Sequence, residues 1–299
     1  MKIVFLGTSG SMPSQARSSS AVAVRRKGEV ILFDCGEGVQ RQMVAAGVGF
    51  RRPTRIFISH LHGDHILGLP GLIQTMTLLG RERDLYVYGP RGLIGFIEAF
   101  NSILGDPGFN LVVGEIASEG IVFSGHEYEV RAISADHDGP SWSFVLQERP
   151  RPGRFHPDRA LALGVPQGPL WKRLQQGEDV ELGGRTVLSI DVVDPPIRGL
   201  KIAYSGDTRP TEKFSRASEG ADLMIHEATF DDSLEEKARE DGHSTATQAA
   251  ETAKAAGAGM LILTHISSRY PDASVLLEEA EKVFSKTRVA EDLMEFELP

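Results

Sequence analysis

The sequence has almost no cysteine: Cys35 is the only one among 299 residues. An intrachain disulfide is therefore excluded, and thiolates cannot be the main ligands of a metal site, which suits a reducing compartment. Long apolar runs are missing too, both of the length that spans a membrane and of the kind that forms the core of a signal peptide. We therefore expect a cytoplasmic protein.

Excess positive charge is also absent. The 32 Lys and Arg residues are outnumbered by 41 Asp and Glu, so the formal net charge is −9. An unspecific nucleic-acid binder is usually basic, so the charge argues against that class but leaves room for a nucleic-acid enzyme with a local basic surface. The hydrophobic share, 41%, is ordinary for a globular protein that buries a sizeable core.

Apolar runs of strand length alternate with helical segments in both halves of the chain, which favours a layered α/β architecture. The runs predict strands at 2–6, 21–25, 30–33, 55–58, 85–88, 110–113, 121–123, 127–134, 142–146, 186–190, 201–204, 223–226 and 260–263. Helices are expected at 38–46, 66–79, 90–104, 233–240, 245–256 and 273–284.

A cluster of histidines follows the apolar run 55–58. The segment is Ser59-His60-Leu61-His62-Gly63-Asp64-His65. Because side chains alternate along an extended chain, His60 and His62 share one side, while Asp64 and His65 follow a turn and can face a second ion. Imidazole and carboxylate form a ligand set for a borderline metal such as zinc, so we interpret the cluster as a metal site rather than a polar surface loop.

Three later apolar runs end in residues of the same kind. They lead to His137, to Asp207 and to His265. Functional side chains on α/β scaffolds gather where strands end in loops, so we expect these residues to join the histidine cluster.

Together these residues resemble the metallo-β-lactamase superfamily. The resemblance implies an α/β fold, an αββα sandwich over 1–299 as a single domain, with two zinc ions (Zn2+) per subunit along one edge. The ligands it implies are His60, His62 and His137 for one zinc, Asp64, His65 and His265 for the other, and Asp207 with a hydroxide as the bridge. Such a pair of ions suits phosphodiester, amide and thioester hydrolysis, so the metal motif does not name the substrate.

Further motifs resemble the ribonuclease Z family, endonucleases that trim the 3′ trailer from precursor tRNA. They include Phe5-Leu6-Gly7-Thr8-Ser9-Gly10, Phe33-Asp34-Cys35-Gly36-Glu37-Gly38, Tyr204-Ser205-Gly206-Asp207-Thr208, His226-Glu227-Ala228-Thr229-Phe230 and Gly242-His243-Ser244-Thr245. The implied reaction is metal-hydroxide attack on the phosphodiester after the discriminator base, leaving a 3′-hydroxyl on the tRNA. A zinc phosphodiesterase acting on small or cyclic esters is the alternative, and a catalytically silent RNA-binding module fits the complete ligand set less well.

The same resemblance implies roles beside the metals. Glu227 would orient His243, which would assist the leaving group or the transition state. Asp64 would double as a ligand and as proton acceptor from the attacking water. A homodimer is also implied, for which the apolar helix 66–79 is a candidate interface, with core packing as the alternative.

The segment 149–176 breaks the α/β rhythm. It holds five prolines, and from 149 to 173 six basic residues and one acid give a charge of +5. Composition alone favours an arm that contacts an anionic partner, or else an irregular connection with a solvated face. In ribonuclease Z an inserted arm of this kind grips the tRNA elbow, so the resemblance predicts tRNA contacts by Arg154, Lys172 and Arg173.

The N-terminal loop departs from the family pattern. Many members carry Pro-x-Lys-x-Arg-Asn there, a loop linked to rejecting tRNA that already ends in CCA. Here Pro13 and Arg17 match, whereas Gln15 replaces lysine and Ser18 replaces asparagine. We predict that Arg17 can still bind a phosphate, and CCA discrimination stays open.

Overall fold

The computed structural model describes residues 1–299, whose strands form two seven-stranded sheets and two short pairs. The first sheet contains, in spatial order, β18 (Glu295–Glu297), β1 (Lys2–Gly7), β3 (Ala21–Arg26), β4 (Glu29–Phe33), β5 (Thr54–Phe57), β6 (Leu85–Pro90) and β7 (Leu111–Ile116). The second contains β17 (Thr287–Val289), β15 (Leu261–Thr264), β14 (Leu223–Glu227), β13 (Lys201–Tyr204), β10 (Trp142–Glu148), β9 (Tyr128–Ser134) and β8 (Gly120–Ser124). The short pairs are β2 (Ser9–Gly10) with β16 (Ile266–Ser267), and β11 (Val180–Leu182) with β12 (Arg185–Val187).

Helices cover the outer face of each large sheet. Apolar residues of the first sheet pack against α1 (Val39–Ala45), α3 (Gly68–Leu78) and α4 (Leu93–Leu104). The second sheet packs against α7 (Glu212–Ala217), α9 (Ala246–Ala255) and α10 (Ser274–Val283), where small alanines allow close approach. The short helices α2 (Gly63–Ile66) and α8 (Glu235–Asp241) lie in loops that follow strands. No helix is long and apolar enough to cross a membrane.

Aromatic side chains fill the space between the two large sheets. The rings of Phe33 and Tyr204 lie 5.3 Å apart, and those of Phe57 and Phe144 lie 5.6 Å apart. Because side chains alternate along a strand, Phe33 faces the second sheet while its neighbour Leu32 joins the helix-covered core on the outer face. The layers are therefore helix, sheet, sheet, helix.

Parallel strands place their carboxyl ends where the candidate site residues begin. β4, β5 and β6 run parallel in the first sheet, and β13, β14 and β15 run parallel in the second. His60 follows β5, Asp207 follows β13, Glu227 ends β14 and His265 follows β15.

The chain forms two compact units. The larger contains Met1–Ser124, Glu129–Leu146 and Lys201–Pro299; the smaller contains Gly125–Tyr128 and Gln147–Leu200. The smaller unit holds α5 (Pro157–Ala162), α6 (Pro169–Gln175) and the β11–β12 hairpin, around a core of its own: Ala160, Val165, Leu174, Val180, Val187 and Val192. The predicted arm, 149–176, lies within this unit. The alternative of an irregular connection is wrong for 157–162 and 169–175, which are helical.

Several predicted elements have other bounds in the structure, and the structure shows a physical reason for three of these differences. The helix expected at 66–79 is divided at Leu67 into α2 and α3, because Gly68 N donates to Cys35 O at 2.9 Å instead of to the preceding helical turn. The helix expected from Pro90 starts at Leu93, since β6 stays paired with β7 through Pro90. The strand expected at 186–190 ends at Val187, and Ser189–Asp191 form a 3-10 turn whose first N–H donates to Asp179.

Candidate metal centre

Two groups of predicted ligands meet at the strand ends. The first group is His60, His62 and His137, and the second is Asp64, His65 and His265. Within each group, the candidate ligand atoms all lie within 4.8 Å of one another. In the first group, His62 Nδ1 and His137 Nε2 are 3.3 Å apart. In the second, His265 Nε2 is 3.3 Å from both His65 Nε2 and Asp64 Oδ2. Residues 201 positions apart in the chain are therefore neighbours here.

Asp207 links the two groups. Its Oδ2 lies 3.3 Å from His65 Nε2 and from His265 Nε2, and 3.7 Å from His60 Nε2. Burial alone would raise the pKa of this carboxyl, but His265 and His65 outweigh burial and hold the pKa well below its usual range. Asp207 is therefore an ionised, buried carboxylate shared by both groups.

Four of the five histidines are held by neighbouring residues through Nδ1, whereas His62 turns its Nδ1 toward His137 Nε2. His60 Nδ1 lies 3.0 Å from Ser59 Oγ, His137 Nδ1 donates to Gly242 O at 2.8 Å, and His265 Nδ1 lies 2.9 Å from Thr229 Oγ1. His65 Nδ1 lies 2.8 Å from the Asp34 carboxylate. With Nδ1 engaged, Nε2 of each of these four rings is left for the centre, an arrangement typical of metal-binding histidines.

These residues fit divalent metal ions. His60 Nε2 and Asp207 Oδ1 are buried and have no hydrogen-bond partner. Buried polar atoms are normally hydrogen-bonded, and a bound metal ion would explain why these two are not. Ligands about 2.0–2.1 Å from a tetrahedral zinc are roughly 3.3 Å apart, which matches the ligand separations described above. Imidazole and carboxylate are also the donors that such a metal prefers. The cluster can therefore bind metal.

Glu227 and His243 form a second buried pair beside the cluster. His243 Nδ1 is 2.9 Å from Glu227 Oε1, which also accepts a hydrogen bond from Thr208 N at 2.8 Å. The other carboxylate oxygen accepts from Thr229 Oγ1 at 2.7 Å. Burial lowers the pKa of His243, but Glu227 raises it by more, so the net result is a pKa of about 9. The pair that the resemblance implied is thus in direct contact.

Asp64 meets the N-terminal loop as well as the histidines. Its Oδ2 accepts a hydrogen bond from Ser11 N at 2.8 Å. Burial would raise the pKa of Asp64, but hydrogen bonds with His265 and His65 outweigh burial and lower it far below the usual value. Asp64 is therefore ionised and tied to both the centre and the loop.

The predicted substrate-binding residues lie in different settings. Arg17 is half-buried, and its Nη1 donates to Thr8 Oγ1 at 2.7 Å and to Ala290 O at 2.6 Å, while Gln15 is exposed. In the smaller unit Arg154 and Lys172 are exposed, and Arg173 pairs with Glu178 at 2.8 Å. Phosphate binding by these four cations stays a prediction.

Asp34 and Thr229 were missed as contributors to the site. Asp34 holds His65, and Thr229 holds His265 while donating to Glu227. Both stand in motifs that carried the family resemblance, and that position is the one signal the sequence offers for them.

Known proteins share both the sequence and the fold. Family models match residues 185–266, described as a β-lactamase superfamily domain, and residues 1–94, described as the anti-Pycsar protein Apyc1. A ribonuclease Z of Methanosarcina acetivorans is 49% identical over 303 residues, covering 100% of this chain and 98% of its own length. The chain belongs to the ribonuclease Z family.

Solved structures agree with that membership. Human tRNase Z, short form, is 31% identical with a TM-score of 0.74 and full coverage of both chains. The metallo-β-lactamase fold protein YhfI from Bacillus subtilis, 20% identical, covers 99% of each chain at a TM-score of 0.70. The αββα metallo-β-lactamase sandwich and the ribonuclease Z resemblance predicted from the sequence are therefore confirmed.

Proposed function

We propose that this chain is a zinc-dependent endoribonuclease that removes the 3′ trailer from precursor tRNA by hydrolysing the phosphodiester after the discriminator base. The observation that carries the proposal is the convergence of seven acidic and imidazole side chains at the strand ends of a ribonuclease Z family member. One zinc ion would be held by His60, His62 and His137, a second by Asp64, His65 and His265, and both by Asp207.

The residues around the ions divide the remaining work. When bound, two zinc ions would activate water and stabilise the charge of the scissile phosphate. Asp64, ionised and in contact with His65 and His265, is placed to accept the proton of the attacking water. His243 donates a proton to the departing 3′ oxygen of the tRNA, because Glu227 fixes its Nδ1 and leaves Nε2 for the substrate.

The smaller unit supplies a surface for tRNA in this proposal. Its segment from 149 to 173 has a charge of +5 although the whole chain is acidic. Cations that contact phosphates fix the position of a nucleic acid without reading its bases, so shape recognition is the expected mode. The alternative small-ester phosphodiesterase would make no use of this surface.

Replacing two exposed cations with alanine should distinguish tRNA cleavage from hydrolysis of small phosphodiesters. The double variant Arg154→Ala/Lys172→Ala should raise KM for precursor tRNA and leave kcat nearly unchanged. The dependence of log KM on log salt concentration should also become shallower, by about one unit of slope for each phosphate contact that is lost. Turnover of bis(p-nitrophenyl) phosphate should be unaffected. Point substitutions are preferable to deletion, because Ala160, Val165 and Leu174 belong to the core of this unit.

Lys282→Ala serves as the control, because Lys282 is an exposed cation on α10 of the other unit. Steady-state kinetics over a salt series would measure both substrates. An unchanged KM for precursor tRNA in the double variant would remove the arm from the proposal.

A homodimer is the second part of the proposal, through α3 and α4. These helices line a common apolar groove, and on the same two helices Leu78 is 87% exposed and Ile103 80%. Leu78→Glu with Ile103→Glu should convert the dimer to a monomer, since two buried charges per subunit destabilise an apolar interface. Light scattering would measure the mass. Ile190→Glu, at a site 77% exposed in the smaller unit, is the matched control and should leave the mass unchanged.

A dimer that survives the double substitution would place the interface elsewhere.

The cytoplasmic location expected from the sequence also stays a prediction.

A further inference from the structure

Asp34 is a buried carboxylate that takes no part in the proposed reaction. It is fully buried and adopts a φ of 58°, a left-handed conformation that non-glycine residues rarely occupy. Its Oδ1 accepts from Ser59 N at 2.7 Å, and its Oδ2 accepts from Ser59 Oγ at 2.8 Å and from Tyr204 OH at 2.6 Å. His65 Nδ1 completes the set at 2.8 Å. Three donors besides His65 therefore hold this carboxylate in place.

The partners behind the other histidines carry no charge. His60 has the hydroxyl of Ser59, His137 the carbonyl of Gly242, and His265 the hydroxyl of Thr229. A carboxylate behind an imidazole fixes its tautomer and makes its other nitrogen a stronger ligand than a neutral partner does. Only the group of Asp64, His65 and His265 has this support.

The two groups also differ in charge and burial. The first consists of three imidazoles, with His62 exposed. The second includes the Asp64 carboxylate as a ligand, with Asp34 behind His65, and His65 and His265 are buried. Attraction between a carboxylate and a divalent ion is stronger where solvent is excluded. Asp207 is shared, so it does not distinguish the groups.

We infer that the subsite of Asp64, His65 and His265 binds its metal ion more tightly than the subsite of His60, His62 and His137, and that Asp34 is the positioning residue behind this difference. The inference rests on the proposed two-metal function. It predicts that the apoprotein fills in two steps, with the carboxylate-supported subsite first.

Metal titration of the apoprotein tests the inference without relying on activity. Zinc titration followed by chelator competition should resolve two affinities in the parent protein, and cobalt titration should give two successive changes in the absorption spectrum. Asp34→Asn should weaken the tighter step by about 10–100-fold and leave the weaker step unchanged. Tyr204→Phe is the matched control: it removes a hydrogen bond to the same carboxylate but keeps the charge, so both steps should be retained.

Unchanged affinities in Asp34→Asn, an equal loss at both steps, or the same loss in Tyr204→Phe would overturn the inference. Substitution of the ligands keeps it testable even if Asp34→Asn does not fold. His62→Ala should abolish the weaker step and His265→Ala the tighter one, and the reverse assignment would contradict the proposal. A parent protein with two equal sites would overturn the inference but leave the two-metal function standing. A parent that binds fewer than two ions would instead contradict the proposed function.

Discussion

Replacing Asp207 with alanine should reduce cleavage of precursor tRNA to the level of the chelator-treated protein. The Asp207 carboxylate lies within 3.3 Å of one nitrogen on each of His65 and His265 and within 3.7 Å of His60, so it is the one group shared by both proposed subsites. Its loss leaves the three imidazoles of the first subsite with no anionic ligand to compensate a divalent charge, and removes the link to the second subsite. Single-turnover cleavage and metal content would be measured together, and both should fall.

Asp272→Ala is a suitable control for that experiment. Asp272 is exposed in a loop and accepts hydrogen bonds from N and Oγ of its near neighbour Ser274, so its loss should not change cleavage. Full activity of a folded Asp207→Ala variant would exclude the two-metal mechanism proposed for this chain.

Replacing His243 with alanine should lower the rate of the cleavage step by about 10²–10⁴-fold while the two metal ions stay bound. The physical reason is the loss of the proton donor to the 3′ oxygen, not of a ligand. Glu227→Gln should have a smaller effect in the same direction, because His243 would keep a hydrogen-bond partner but lose the adjacent negative charge. Single-turnover rates at saturating enzyme would measure both.

A substrate with sulfur in place of the bridging 3′ oxygen gives this prediction a specific readout. Because a thiolate leaves without a proton, His243→Ala should cleave it at nearly the parental rate. His126→Ala, an exposed histidine in the smaller unit, is the matched control. A lower metal content in His243→Ala would instead identify His243 as a metal ligand. Its position permits that role, because a ring nitrogen of His243 lies within 4.8 Å of ligand atoms of Asp207 and His265.

The sequence predicted the parts of the site that depend on local order. His60, His62, Asp64 and His65 are nearly consecutive, and the ligands that follow β13 and β15 come directly after apolar runs, so strand ends located them. Asp34 could not be assigned in this way. Its role depends on contacts with Ser59, 25 positions away, and Tyr204, 170 positions away, and no local pattern reports such distances.

The smaller unit was harder to predict for a different reason. Pro157 and Pro169 made the segment look irregular, yet each stands at the start of a helix, where a missing N–H costs nothing.

The helix break before Gly68 was missed because it depends on the backbone of Cys35 and Gly36, which the helix approaches only in the folded chain. Tertiary contact, rather than propensity, set this break.

Mapping the cut in a precursor tRNA, with and without chelator, tests the proposed function most directly. The parent protein should make a single cut after the discriminator base, leave a 3′-hydroxyl on the tRNA and a 5′-phosphate on the trailer, lose this activity in chelator, and recover it when zinc is restored. Cleavage that persists in chelator after full metal removal, or cuts scattered through the tRNA, would contradict the account.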